Sequence, residues 1–394
     1  MKVSAVSSLP ASVWTLGIVS LLMDTSSELI HSLLPLFLVT TLGASTFAVG
    51  IIEGIAEATA MITKLFSGYL SDYARRRKPL VVLGYGLAAL TKPIFPLASS
   101  FGWVVFARFL DRVGKGIRGA PRDALIADIT PPDLRGASYG LRQALDTVGA
   151  VAGPLLAIGA MLWLADNFRL VFWVAVVPAF AAVSVLVLGV REPERAEQAA
   201  GAKPRISLAH CKRLPASYWW VVTLAGVMTL ARFSEAFLVL RAQSVHMVTA
   251  WIPLVMALMS VVYAAVAFPA GLFADRGHQR ALLSGGLLAL VAADLILAGA
   301  ASVPLVLAGT AVWGLHMGLT QGLLSALVAE TAPADLRGTA FGLFNLMSGV
   351  ALLAASVLAG WLWDGYGPTV TFVASAIFAA IAWMGLLART TRSR

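Results

Sequence analysis

Residues 133–136 read Asp133-Leu134-Arg135-Gly136, and the same four residue types return as Asp335-Leu336-Arg337-Gly338, an offset of 202. The match runs backward through Ala124-Leu125 against Ala326-Leu327 and Asp128 against Glu330. It runs forward through Tyr139-Gly140-Leu141 against Phe341-Gly342-Leu343. A second pair of stretches, Gly68-Tyr69-Leu70-Ser71-Asp72 and Gly271-Leu272-Phe273-Ala274-Asp275, has an offset of 203. Two separate stretches whose offsets agree to within one residue mark a duplicated unit, each copy filling about half of the chain.

What lies between these stretches is apolar. The chain has 394 residues, 59% hydrophobic and only 12% charged, with a mean hydropathy of +0.84. A soluble domain carries about 25% charged residues, so the solvent for most of this surface is lipid. One membrane crossing takes roughly 20 apolar residues plus a connection, and the length holds about a dozen. The expected spans are 13–40, 47–70, 80–99, 102–127, 136–164 and 168–190, then 216–242, 249–273, 281–300, 303–328, 338–363 and 368–388. The longest polar connection, 191–217, carries prolines 193, 204 and 215 and reads as a hydrophilic linker between residues 1–190 and 218–394. The reading is an all-α membrane protein, with twelve transmembrane helices in two pseudo-symmetric six-helix bundles. Parallel repeats of this kind place a substrate site between the halves, near the midplane.

The net charge of +9 sits mainly in short connections: Arg75, Arg76, Arg77 and Lys78 in one, Arg276 and Arg280 in another, and Arg389, Arg392 and Arg394 in the tail. The connections 41–46, 97–102 and 299–303 carry no charge. With twelve crossings all the basic segments fall on one side. The positive-inside rule makes that side the cytoplasm and puts both termini there. The charge therefore reflects topology, and no nucleic-acid partner is expected. The single cysteine, Cys211, excludes an intrachain disulfide. The first apolar run contains Asp24, Glu28 and His31 and reads as a span rather than a removed signal peptide.

The segment Gly68-Tyr69-Leu70-Ser71-Asp72-Tyr73-Ala74-Arg75-Arg76-Arg77-Lys78 resembles the loop signature of the major facilitator superfamily, with Arg75 where a second glycine is usual. Gly68 would permit close helix packing, and Asp72 would accept hydrogen bonds from a neighbouring helix or pair with a cation. The resemblance implies a latch between the halves, assigned to Gly68, Asp72, Arg76, Asp128, Gly149, Gly153, Pro154, Asp275 and Arg337. Arg112-Val113-Gly114-Lys115-Gly116 resembles the fourth-helix signature, which links an arginine to proton transfer. Gly149-Ala150-Val151-Ala152-Gly153-Pro154 resembles the antiporter signature of the fifth helix. There, two glycines four apart form a packing face and the proline permits a bend. These similarities imply the major facilitator fold and an efflux type of transporter, in a bacterial-type inner membrane.

Ionisable side chains inside the spans mark the candidate chemistry, because each costs several kcal/mol to bury in a bilayer. Asp24, Glu28 and His31, at i, i+4 and i+7, share one helix face. Glu53, Glu57 and Lys64 repeat the pattern in the second span, where Lys64 is expected to snorkel or find another partner. On the fourth span Arg108, Arg112, Lys115 and Arg122 fall within about 80° of one another, a stripe that cannot face lipid. Arg118, Arg122 and Asp123 are expected at the cytoplasmic interface, and Arg108 and Arg112 deeper. Arg142 and Asp146 are spaced i, i+4 on the glycine face of the fifth span. The second half holds fewer charges: the pair Arg232 and Glu235, and the isolated Asp294 and His316. Phe233, Phe237, Trp251, Met256, Met259, Tyr263, Trp313 and Asn345 are candidate lining, although such residues more often form core.

The expected function is secondary active transport by alternating access, as a proton-coupled exporter of a small molecule. Asp24, Glu28, Glu57 and Arg112 are assigned to proton coupling. His31, Glu53, Arg108, Arg142, Asp146, Arg232, Glu235 and Asn345 are assigned to substrate. An alternative is transport of a divalent metal (nickel, cobalt or iron type) or a metal chelate. In that reading Asp24, Glu28 and His31 supply O and N ligands, and the stretch from Asp24 to Pro35 is similar to bacterial nickel-resistance permeases. The basic fourth helix argues instead for an anionic or chelated substrate. A non-transporting membrane sensor lacks a soluble signalling domain, and no catalytic signature suggests an enzyme. No cofactor is expected. The partners are protons, the substrate and the lipid bilayer, with the chain a monomer.

Overall fold

The protein is described from a computed structural model, which covers residues 9–73, 76–192, 213–333 and 336–392. All regular structure among these residues is helical. This follows from the solvent: in lipid every backbone N–H and C=O must be satisfied within the chain, and a helix does so alone.

The first half holds α1 (Ala11–Leu36, extended by a π turn at Phe37–Thr41), α2 (Thr46–Tyr73), α3 (Lys78–Thr91), α4 (Phe101–Ile129), α5 (Arg135–Trp163) and α6 (Phe168–Gly189). The second half holds α7a (Ala216–Ala231), α7b (Ala236–Ser244), α8 (Leu254–Phe273), α9 (Gln279–Ala298) and α10 (Val303–Thr331). A last helical stretch, Arg337–Arg392, is broken at Gly367 (φ 84°, ψ 175°). It divides there into α11 (337–366) and α12 (368–392). Only glycine adopts that conformation at little cost, and Pro368 restarts the helix beyond it.

Among the described residues, nine stretches are long and apolar enough to cross a membrane. Two of these are 50 residues long and hold two crossings each, turning at Gly277 and at Gly367. Helix α4 falls outside the nine because of its charges. The twelve expected crossings are all present among the described residues.

The expected span 216–242 is not one helix. It unwinds at Arg232–Glu235, between α7a and α7b. The break contains neither Pro nor Gly, and side chains of other helices hold it open. The Ser234 amide donates to Ser356 Oγ at 3.3 Å, and the Ala236 amide donates to Ser234 Oγ at 3.2 Å.

Helix ends are capped by carboxylates and an amide. Asn167 accepts from the Leu170 amide at the start of α6 (3.2 Å). Glu192 accepts from the Arg77 and Lys78 amides at the start of α3. Asp364 accepts from the Thr46 amide (3.0 Å) and the Phe47 amide (2.9 Å) at the start of α2. Such acceptors satisfy the first N–H groups of a helix and oppose its positive end.

By contacts the chain divides into two compact units, Met1–Leu42 with Thr59–Lys203 and Gly43–Ala58 with Pro204–Arg394. The first unit's core joins Leu16, Val19 and Met23 of α1 to Tyr85 and Ala88 of α3, Leu125 of α4 and Ala182 of α6. The second has cores around Tyr218, Val222, Val328 and Ala340 and around Leu283, Leu287 and Ala382. Large apolar side chains also point outward, among them Trp163, Val177 and Leu188. In water they would be a defect; in a bilayer they are the solvated surface.

Candidate functional site

The GxxxG face of α5 does more than permit general packing. A Cβ on Gly149 would lie 2.7 Å from the Leu21 carbonyl and 3.0 Å from Asp24 Cβ. One on Gly153 would lie 2.7 Å from the Thr25 carbonyl and 2.8 Å from Glu28 Cβ. The two glycines therefore set α5 against α1 at the two turns that carry its carboxylates. Pro154 is buried in the same helix. Gly68 is different: a Cβ there would meet only Ala120 Cβ, at 3.5 Å, an ordinary contact. The expectation that Gly68 is needed for close packing does not hold sterically.

The carboxylates of α1 find their partners on α4. Arg118 Nη2 lies 3.9 Å from Asp24 Oδ1, and its guanidinium covers the Tyr85 ring at 4.5 Å. Arg122 donates to Ser20 Oγ (2.9 Å) and to the Tyr85 hydroxyl (3.3 Å). It also lies 3.9 Å from Asp146 and 3.3 Å from Asp123. Arg142 bonds Asp146 one turn away on α5 and lies 3.7 Å from Asp123. These residues form one network on α1, α3, α4 and α5. Of the three residues expected at the cytoplasmic interface, Asp123 keeps 37% of its side chain exposed. Arg118 is buried and Arg122 largely so, because α1, α3 and α5 cover the end of α4.

Two buried acids in this unit are held very differently. Asp111 is 2.8 Å from Lys92 Nζ, with side-chain exposures of 5% and 2%, and Lys92 also donates to Ser27 Oγ at 2.9 Å. Asp24 is 24% exposed, and its arginine stands beyond hydrogen-bond distance. Charge-assisted bonds run near 2.8 Å. Asp111 is therefore fixed as the partner of a lysine, whereas Asp24 is loosely held and partly exposed.

The other expected residues are placed as follows. His31 Nδ1 lies 3.3 Å from Glu28 Oε2. Asp24, Glu28 and His31 do not close into a metal cage, and no group of three or more potential ligands of that kind occurs among the described residues. Arg108 and Arg112 are buried on α4, and Arg112 and Lys115 act electrostatically on Glu28. Glu53 is buried and Glu57 half-buried on α2. Lys64 is exposed, its stem running over Gly119. Arg232 and Glu235 stand half-buried at the two ends of the α7 break, and Asn345 is half-buried on α11.

Phe233, Phe237 and Trp313 are core, stacked with Phe372 and one another. Met256 and Met259 are buried with them in the second unit, while Trp251 is exposed and Tyr263 half-buried. His316 and Asp294 are not isolated. His316 Nδ1 bonds the Gly286 carbonyl at 2.8 Å, and Ser375 Oγ lies 2.6 Å from Asp294 Oδ2.

Of the expected latch residues, Asp128 meets Arg77, the neighbour of the assigned Arg76, at 3.2 Å. The repeat reproduces this contact: Gln279, 202 positions after Arg77, donates to Glu330, 202 positions after Asp128, at 2.9 Å. Arg76 and Asp275 are exposed. The side chains of Asp72 and Arg337, and the residues Arg75 and Cys211, lie outside the described residues.

A duplicated bundle of membrane-crossing helices with charged networks turned inward defines a polytopic membrane transporter. The sequence profile of the Major Facilitator Superfamily matches residues 16–253 and 240–394, and the chain belongs to that family. An uncharacterised MFS-type transporter of Methanocaldococcus jannaschii is 32% identical over 385 residues, covering 96% of this chain and 95% of the relative. The inner membrane transport protein YajR of Escherichia coli is 26% identical over 392 residues, covering 94% and 81%. Among solved structures, an inward-facing bacterial homologue of the human lysosomal transporter Spinster superposes with a TM-score of 0.77 at 16% identity, covering 98% and 97%. That last likeness concerns the fold alone.

Proposed function

We propose that this chain is a proton-coupled exporter of a small molecule that works by alternating access of residues 1–190 and 218–394, with Asp24 as the carboxyl that loads and releases the proton. The observation that carries this reading is the contrast between Asp24 and Asp111. Both are acids inside the membrane, but Asp111 is locked to Lys92 at 2.8 Å and Asp24 is not. A carboxyl able to exchange its proton needs a nearby cation to accept its charge and a path to water. Arg118 supplies the first and the partial exposure of Asp24 the second. Glu28, Glu57 and Arg112 assist the proton's passage, Glu28 through its contact with His31.

His31, Glu53, Arg108, Arg142, Asp146, Arg232, Glu235 and Asn345 are assigned to substrate. Export, rather than uptake, rests on the Gly149–Pro154 resemblance. The basic connections orient both termini to the cytoplasm, and the similarity to the inner membrane transport protein YajR supports an inner-membrane location. The chain acts as a monomer in this reading.

A thermal-shift screen of the purified protein against drugs, metal ions and metal chelates selects the ligand. Proteoliposomes then separate two activities. Asp24→Asn is expected to retain counterflow exchange of that ligand and to lose transport driven by a pH gradient. Unchanged gradient-driven transport in Asp24→Asn would remove the assignment.

A further inference from the structure

In the second unit, three oxygens form a line inside the membrane. Ser375 Oγ lies 2.6 Å from Asp294 Oδ2 and is also bonded to the carbonyl of Ala231, the last residue of α7a. A hydroxyl has one proton to donate, and a carbonyl oxygen has none. One O–H proton can serve both acceptors only as a shared three-centre bond; two full hydrogen bonds through one serine oxygen take a second proton, which the Asp294 carboxyl can carry. With that proton in place, Asp294 O–H would donate to Ser375 Oγ and Ser375 O–H to Ala231 O.

The surroundings agree. Asp294 is 0% exposed, and among the described residues Ser375 is the hydrogen-bond partner of its carboxyl. The charged and titratable groups on neighbouring elements are turned to other partners or to the break. Arg241 of α7b donates to the Leu297 carbonyl at 2.8 Å and to Ser244 at 2.7 Å. His316 of α10 bonds the Gly286 carbonyl. Arg232 and Glu235 flank the α7 break, within electrostatic reach of Tyr263 on α8. A carboxylate without a counter-cation is costly in such a place.

The repeat sharpens the contrast. Asp294 stands 202 positions after Lys92, and the counterpart of Asp111 is Trp313. Where the first unit holds an ion pair, the second holds a lone acid.

We propose that Asp294 is a proton-binding site of the second unit, and that its proton governs whether the end of α7a is fastened to α12. When the Asp294 O–H bond breaks, the proton leaves to water that enters at the half-buried Arg232 and Glu235, on either side of the buried Phe233 and Ser234. The Ser375 O–H then turns from Ala231 to the carboxylate, the stronger acceptor. The Ala231 carbonyl loses its donor and α7a is released at the break. Rebinding of the proton reverses each step, and no electron changes place.

The test is hydrogen exchange of the full chain in lipid nanodiscs across a pH series, read at the amides of residues 231–238 and corrected for intrinsic exchange rates. In the wild type, protection is expected to fall as pH rises. Asp294→Asn, whose amide still donates to Ser375, keeps protection at every pH. Ser375→Ala lacks protection at every pH, and Ser375→Thr behaves as the wild type, so this pair decides the matter even if the Asp294 variant fails to fold. Asp24→Asn keeps the wild-type response, which separates this proton from that of the first unit. Infrared difference spectra should show a protonated-carboxyl band that disappears on alkalinisation and is missing from Asp294→Asn. A wild-type protection that ignores pH, an Asp294→Asn or Ser375→Ala response equal to the wild type, or an unaltered carboxyl band in Asp294→Asn overturns the proposal.

Discussion

Lys92 and Asp111 form an ion pair at 2.8 Å with both side chains almost fully buried. Removing one partner of such a pair leaves a charge stranded in a medium that cannot solvate it, at a cost of about 3–5 kcal/mol. Lys92→Met and Asp111→Leu are each expected to lower the thermal midpoint of the detergent-solubilised protein sharply. The double variant should recover most of the loss, since an apolar pair of similar volume is tolerated there. Thermal unfolding followed by size exclusion measures all three. Additive losses in the double variant would contradict the pairing.

Gly149 and Gly153 predict a steric limit. A side chain at either position meets a backbone carbonyl of α1 at 2.7 Å, and backbone cannot swing aside as a flexible side chain can. Overpacking of this kind costs about 1–3 kcal/mol. Gly153→Val should lower the thermal midpoint and, by pushing α1 away from α5, reduce transport. Gly68→Ala is the control. Its new methyl meets only Ala120 at 3.5 Å, and both stability and transport should stay within error of the wild type.

Asp364 holds the first turn of α2 through two amide bonds. Asp364→Ala should destabilise that turn by about 0.5–2 kcal/mol, the usual effect of losing a helix cap. Hydrogen exchange at the amides of 46–48 is the readout. Faster exchange confined to that turn is expected, with Asp364→Asn in between because it retains one acceptor oxygen. Unchanged exchange in Asp364→Ala would show that the cap carries no weight.

Arg122 joins residues of three neighbouring helices: Ser20, Tyr85 and Asp146. Lysine keeps the charge but has no planar fork to serve several acceptors at once. Arg122→Lys should therefore lower transport while leaving insertion and folding intact. Tyr85→Phe, which removes one acceptor and keeps the ring beneath Arg118, should have the smaller effect. Initial transport rates in proteoliposomes decide the order, and a milder Arg122→Lys would reverse the assignment of weight within the network.

The fold was legible because duplication and apolar run length are both linear properties of a chain. The offset of 202 read from Asp133 and Asp335 reappears in space as Arg77 with Asp128 and Gln279 with Glu330. The turn at Gly367 was likewise visible, as a glycine followed by a proline. The break in α7 was not, because Ala231-Arg232-Phe233-Ser234-Glu235 has good helix formers and no breaker. What opens it is supplied by Ser356 and Ser375, 122 and 144 residues away from the groups they bond.

The site divides in the same manner. The position of Asp24 and Glu28 inside an apolar run marked them as buried acids, and the motif on α5 gave a packing face, but not that α1 is what packs on it. The role of Arg118 and Arg122 did not follow. Their position near the end of α4 says how deep they sit along the helix but not which other helices cover them. Asp294 looked solitary for a related reason: its partner is a serine, and a serine in a membrane helix attracts no notice.

Helix α4 also bears on how the protein is made. Each Arg, Lys or Asp near the centre of an inserting helix opposes entry into the bilayer by about 2.5–3.5 kcal/mol, and α4 carries Arg108, Asp111, Arg112, Lys115 and Arg118 in succession. Emerging alone from the translocation machinery, it has no reason to leave the aqueous channel for lipid. Its welcome is prepared by helices already made: α1 brings Asp24, and α3 brings Lys92 and Tyr85. The order of synthesis thus places the solvating partners ahead of the charges that need them, an order that suits joint entry of these helices rather than entry one by one.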